Sequence, residues 1–144
     1  MKNTITLLFT LFLLPAFASG NDKNAVHFEN YSAYYTVFNS TFIKPDVAAT
    51  YGIKRSKYES LLNLSISEKG KYGGVAAALK GTVTDLMQQQ KALEFKEINE
   101  DGTVYYLAPV RIAGEDLVRF KIDISLPDES KPLIVEFQQK IYAD

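Results

Sequence analysis

Apolar and polar residues alternate with a period of two, aromatic side chains make up 12% of the chain without any tryptophan, and turn-forming residues recur at short intervals. These three observations predict an all-β protein, because aromatic and β-branched residues fit a pleated surface with one face in the core. The expected architecture is an antiparallel, immunoglobulin-like β-sandwich of about seven strands with one short helix inserted near residues 45–51.

The chain opens on Lys2, an apolar run from Ile5 to Leu14, Pro15, and then Ala16-Phe17-Ala18. That is the layout of a secretory signal peptide, and the run is about half the ~20 residues a bilayer-spanning helix needs. Residues 1–18 are therefore expected to direct export and be removed, with cleavage after Ala18 or after Gly20. Neither site carries a cysteine to accept a lipid, so no membrane association is expected afterwards. Residues 19–25 read as a flexible polar lead, and 26–144 as a single domain.

The first strand is expected from Val26 to Ser40, rich in Tyr31, Tyr34, Tyr35, Val37 and Phe38, with faces so similar that parts are covered on both sides. Pro45, Asp46 and Gly52 then mark the start and end of a short helix: proline suits the first helical position, an acid the first turn, and glycine the residue past the end. A strand over 60–68 alternates Leu62, Leu64 and Ile66 with Asn63, Ser65 and Ser67. The turn Lys69–Gly73 leads to a long strand from Gly74 to about Leu86, and Met87–Gln90 forms the next connection. Strands at 91–100 and 103–112 flank Asp101-Gly102, whose glycine supplies the positive φ of a tight hairpin. Val104, Tyr106, Ala108, Val110 and Ile112 share one face there, and Pro109, without an amide hydrogen, predicts an edge or a bulge. The clearest alternation follows, with Val118, Phe120, Ile122, Ile124 and Leu126 inward. Residues 127–132 make a hairpin loop, and Leu133, Val135, Phe137, Gln139 and Ile141 form the last inward face. Because every connection after residue 60 is short, sequential strands are expected to be antiparallel neighbours.

Without residues 1–18 the chain has 126 residues, 15 basic and 17 acidic, a formal charge of −2. Interspersed signs and the absence of a basic stripe argue against a nucleic-acid partner. There is no cysteine, so an exported chain of this composition must hold its fold by packing alone, and thiol chemistry and thiolate metal sites are excluded. His27 is the single histidine, which leaves little for acid–base catalysis or metal binding, and no cofactor is expected. No HExxH, GxSxG, phosphate-loop or EF-hand motif occurs. Glu94 and Glu97 fall on opposite faces of a predicted strand and Glu115-Asp116 lies at a turn, so neither pair has a reason to converge on a substrate. The sequons at Asn30, Asn39 and Asn63 fall within or at the end of predicted strands, where glycosylation is disfavoured.

The stretch Phe38 to Lys57 stands out. A strand end rich in amides and hydroxyls runs into a helix start, and a basic cluster follows. One reading is a site for a small anionic ligand or partner peptide built by Asn39, Thr41, Tyr51, Arg55, Ser56 and Lys57, since arginine clamps carboxylates and phosphates through paired hydrogen bonds. The plainer reading is that Asn39 and Ser40 satisfy turn backbone, Phe42 and Val47 staple the helix to the core, and the cations are solvated.

The same stretch carries a resemblance. Phe38-Asn39-Ser40-Thr41-Phe42, Pro45, Val47-Ala48, Tyr51-Gly52-Ile53 and Arg55-Ser56-Lys57 resemble a family of small exported proteins of Gram-negative bacteria, the domain-of-unknown-function family numbered 4426. Leu62, Leu64 and Ser65, Gly81-Thr82-Val83, Asp85-Leu86, Leu93, Phe95 and Phe137-Gln138-Gln139 extend it over nearly all of the chain beyond the leader. The resemblance implies a periplasmic location and a compact β-rich domain, and it supplies no activity. The function expected from these readings is a non-enzymatic periplasmic binding or interaction module whose partner, a periplasmic protein or a small anionic ligand, the sequence does not identify. The alternative is a carrier of a small anionic ligand, or an atypical enzyme, using residues 39–57.

Overall fold

A computed structural model describes residues 24–111 and 114–143, so the predicted leader and Ile112 lie outside the described residues. Among the described residues, nine strands form two antiparallel sheets. They are β1 (Ala25–His27), β2 (Tyr31–Asn39), β3 (Glu59–Glu68), β4 (Ala78–Thr84), β5 (Gln90–Ala92), β6 (Lys96–Glu100), β7 (Thr103–Arg111), β8 (Glu115–Ser125) and β9 (Leu133–Tyr142). One sheet has the order β1-β2-β3-β7-β6 and the other β5-β4-β8-β9. The all-β sandwich with one short helix, α1 (Pro45–Tyr51), is thus observed.

The two strands beyond the expected seven are three-residue pieces. The first predicted strand folds back at Glu29-Asn30, giving the β1–β2 hairpin with Ala25 opposite Tyr34, so pairing already begins within the segment read as flexible. The predicted strand over 91–100 leaves one sheet after Ala92 and joins the other at Lys96, with Leu93–Phe95 as the crossing. The long strand expected from Gly74 is likewise a crossing up to Ala77 and a strand only from Ala78. Along it the Val75 amide donates to Ile66 O at 2.7 Å and the Val104 amide to Gly74 O at 3.2 Å. Short connections therefore do not make every sequential pair neighbours: β3 to β4, β5 to β6 and β7 to β8 each change sheet. Alternation is the same on either side of such a crossing, so the pattern alone does not reveal it.

The faces are as the alternation dictates. Leu62, Leu64, Ile66, Tyr106, Ala108, Phe120, Ile122, Ile124 and Val135 belong to one buried cluster between the sheets. Tyr31, Ser32 and Ala33 are buried in succession, in keeping with β2 being covered on both sides. Asp101 (φ 51°) and Gly102 (φ 79°) both take the left-handed conformation that a two-residue hairpin demands. Pro109 pairs with Leu61 at a point where β6 has already ended at the Lys96–Leu107 pair, so β7 is locally an edge there, as its missing amide requires.

A second buried set lies on the outer face of the five-stranded sheet. Leu61, Ile98, Leu107 and Ala48 are each at most 6% exposed and stand apart from the main cluster. Here the predicted staple needs correction. Phe42 is 73% exposed and Val47 40%, whereas Ala48 is 3% exposed. A seven-residue helix has only one inward position near its middle, and a small alanine there lets the backbone approach the sheet closely.

The sheets are tied at their ends by tyrosines. The Tyr31 hydroxyl donates to Asp128 in the β8–β9 loop, with both carboxylate oxygens within 2.7 Å. That bond, reinforced by burial and by the nearby charges of Asp128, Glu68 and Glu129, raises the phenol to about 12 from its usual 10.0. The neutral phenol is therefore favoured by folding, and its contribution is fully present below pH 10 and lost as pH rises through 12. In denaturant titrations across this range, wild type should exceed Tyr31→Phe in stability up to about pH 10 and lose that advantage by about pH 12.

Candidate functional site

Residues 40–58 connect β2 to β3 through a 3₁₀ turn (Ser40–Phe42) and α1, and the polar side chains that stand out in the sequence tie this connection together. Asn39, 6% exposed, accepts from the Thr41 amide at 2.9 Å and the Thr41 hydroxyl at 2.7 Å, and donates to Lys57 O at 2.9 Å. The Ser40 hydroxyl donates to Ser56 O and accepts from the Ser56 amide, both at 2.9 Å. Arg55 donates from Nε to Ile43 O at 2.7 Å and from Nη2 to Thr41 O at 3.0 Å. The Ser56 hydroxyl accepts from the Tyr58 amide, and the Lys57 ammonium sits 5.0 Å from the centre of the Tyr58 ring.

Five of the six residues singled out from the sequence, Asn39, Thr41, Arg55, Ser56 and Lys57, thus fall in one clasp. Tyr51 stands apart on α1, its hydroxyl donating to Glu100 on β6; that bond raises the phenol to about 12, with smaller additions from burial and from the charge of Glu100. Within the clasp the Asn39 and Ser40 side chains and the two Arg55 nitrogens are directed at backbone groups and neighbouring hydroxyls of the connection itself.

A groove with an apolar floor lies elsewhere. Where β6 ends and the chain crosses at Leu93–Phe95, the wall between β7 and β5 is open. One depression of about 380 Å³ has Leu61, Phe95, Leu107 and Pro109 as its floor, with Lys54, Lys96, Glu59 and Glu94 around it. A second, of about 440 Å³, reaches between the sheets to Val83, Val110 and Val118 and is rimmed by Asp85, Lys91, Arg111 and Asp116. A smaller hollow of about 220 Å³ shares Glu59, Glu94 and Pro109 with the first and Val83, Lys91, Val110 and Arg111 with the second, which makes the three one continuous groove. Helix α1 ends on its bank. Gly52, the αL cap (φ 65°), packs against the Lys96 ammonium so closely that a Cβ there would lie 3.1 Å from Nζ.

Glu59 occupies the middle of this groove. It stands opposite Arg111 in the β3–β7 register, and its Oε2 is buried with no hydrogen-bond partner among the described residues. An unmet buried acceptor is costly and calls for a donor. Of the carboxylates weighed in the sequence, Glu97 is engaged with the Tyr106 hydroxyl at 2.9 Å and Glu115 with Lys140, while Glu94 and Asp116 reach the groove in different partnerships, beside Glu59 and Asp85. Sequence reasoning missed the groove because its lining comes from β3 to β8, from the end of the β2–β3 connection and from the crossing at Leu93–Phe95. Its one local signal is Pro109, which marks where β7 loses a neighbour.

Fold and surface together define a small antiparallel β-sandwich domain with a lateral groove. The chain belongs to the family described as Domain of unknown function (DUF4426), whose model matches residues 25–144. A DUF4426 family protein from Pseudomonas aeruginosa PAO1 is 33% identical, with a TM-score of 0.74 over 83% of this chain and 94% of that one. FetP from uropathogenic Escherichia coli strain F11, expressed in the periplasm, is similar in fold at 14% identity and a TM-score of 0.57, covering 82% of this chain and 92% of that one. A copper-bound variant of FetP gives 14% identity and a TM-score of 0.59 over 82% and 93% of the two chains. No curated protein matches the sequence.

Proposed function

We propose that this chain is an exported, non-enzymatic binding module whose groove receives an extended segment of a protein partner. The observation that carries the reading is the continuous groove itself, with its apolar floor and a rim of both charge signs. An extended peptide carries apolar side chains for the floor and charged side chains for a rim of both signs. The residues lining the groove include no histidine, serine, threonine or cysteine, and the one hydroxyl among them is the phenol of Tyr58. The leader over residues 1–18 supports export, and the mass of the exported chain should place its first residue at Ser19.

Copper, bound by the FetP variant, does not suit the donors of this chain. Copper favours imidazole and sulfur ligands, and here there is one histidine, no cysteine and, apart from Met1, one methionine. His27 lies on β1 with Nδ1 2.8 Å from the Ser32 hydroxyl, while Met87 lies in the β4–β5 turn of the other sheet. Among the described residues no three His, Cys, Asp or Glu side chains cluster as a metal site would need. The anionic-ligand reading of residues 39–57 has less support than the groove, because the clasp side chains are engaged with one another and with backbone.

The test is affinity capture from periplasmic extract with Arg111→Glu and Arg55→Ala as comparators. Wild type and Arg55→Ala should retain the same stoichiometric protein, and Arg111→Glu should lose it while keeping a native circular dichroism spectrum. Loss in Arg55→Ala alone would move the site to the clasp.

A further inference from the structure

The free edge of β9 is built to pair with itself. Among the described strands, three of the four outermost ones are short: β1 and β5 have three residues and β6 five, whereas β9 has ten in unbroken register with β8. Short edges are a usual protection against strand addition, and a long flat one is an invitation to it. The Ala143 amide donates to Gly114 O at 2.9 Å at the end of the β8–β9 ladder. Hydrogen bonding alternates along an antiparallel pair, so the odd-numbered residues of β9 bond to β8 and the even-numbered ones direct N–H and C=O outward. Those even residues, Ile134, Glu136, Gln138, Lys140 and Tyr142, are also the exposed ones.

We infer that two copies of the chain join through β9 in an antiparallel two-fold pair centred on Gln138, fusing their four-stranded sheets into one of eight. The occupant is set by self-complementarity. With Gln138 opposite its own copy, Glu136 faces the partner's Lys140 and Ile134, 50% exposed, faces the partner's Tyr142, 55% exposed, each contact occurring twice. Opposite charges and paired apolar groups stabilise cross-strand neighbours, and like charges oppose them. Centring the pair on residue 136 would set Glu136 against itself, and centring it on residue 140 would do the same to Lys140. The two intermediate registers leave both charges facing neutral side chains. Only the Gln138-centred register matches all three kinds of side chain, and a two-fold axis makes such a contact closed rather than fibre-forming.

The chain's lack of cysteine makes the register directly readable. In a hydrogen-bonded pair the Cα atoms lie ~5.5 Å apart, within disulfide range. Sedimentation of the mature chain should show a concentration-dependent dimer, and Glu136→Lys should weaken it at least tenfold. Oxidised Gln138→Cys should form an intermolecular disulfide, whereas Ile134→Cys alone should not, and a mixture of Ile134→Cys with Tyr142→Cys should link only between the two variants. A monomer at every concentration, a dimer unaffected by Glu136→Lys, or equal crosslinking at 134 and 138 would each overturn the inference.

Discussion

Replacing Phe120 with alanine should cost about 3–5 kcal/mol, a large part of the 5–15 kcal/mol that holds a domain of this size together. Phe120 is fully buried at the centre of β8. Its ring lies 4.7 Å from that of Phe137 on β9, which in turn lies 3.8 Å from Tyr35 on β2, the planes inclined by 17° and 15°. Three aromatic rings from both sheets therefore stack across the sandwich. Removing the Phe120 ring leaves a cavity that rigid strands on either side cannot close, so the loss exceeds the transfer free energy of the ring alone. Leu117→Ala on the same strand is the control. Leu117 is 37% exposed on the opposite face and should cost no more than ~0.5 kcal/mol. Urea unfolding of both variants measures the difference; equal losses would contradict the assignment of faces.

Gly74→Ala should be nearly as damaging, at about 3 kcal/mol or more, for a different reason. A Cβ on Gly74 would lie 1.8 Å from Val104 O and 3.0 Å from the Ser65 hydroxyl. The first obstacle is backbone, held in β7 by its neighbours, and cannot rotate away as a side-chain tip could. Relief requires displacing the crossing segment from β7, at the expense of the Val104–Gly74 hydrogen bond beside it. Gly70→Ala separates this effect from backbone conformation. Gly70 takes φ 78° with nothing within 4 Å of a Cβ, so it should lose only the ~1–2 kcal/mol of left-handed strain. Equal losses at the two positions would show that the close approach of the crossing to β7 is not what makes Gly74 necessary.

These two residues mark what was legible in the sequence and what was not. The face of β8 is visible because Val118, Phe120, Ile122 and Ile124 alternate with charged and polar residues, and period two has one structural meaning. The ends of α1 are visible because Pro45 and Gly52 suit positions that few other residues tolerate. Gly74 reads as the start of a strand, since the sequence records extended backbone and not which sheet the backbone joins. Leu93–Phe95 is hidden for the same reason. The clasp residues were locatable because they are close in sequence, but their bonding to backbone was not, since an amide or guanidinium suited to a ligand is equally suited to a carbonyl. The groove was least legible. Val83, Lys91, Val110 and Asp116 meet only through pairing between distant segments, and Glu59 becomes an orphan acceptor only once β3 is packed beside β7.

Site-specific photocrosslinking in the periplasm of living cells tests the central proposal most directly. A photoreactive side chain at Lys91 or Lys96, on the two stretches of the groove, should trap the same protein partner. The same group at Lys80, exposed on the outer face of the four-stranded sheet, should trap none. Crosslinks of equal yield at Lys80, or none from the groove positions in a folded and exported chain, would contradict the groove as the binding surface.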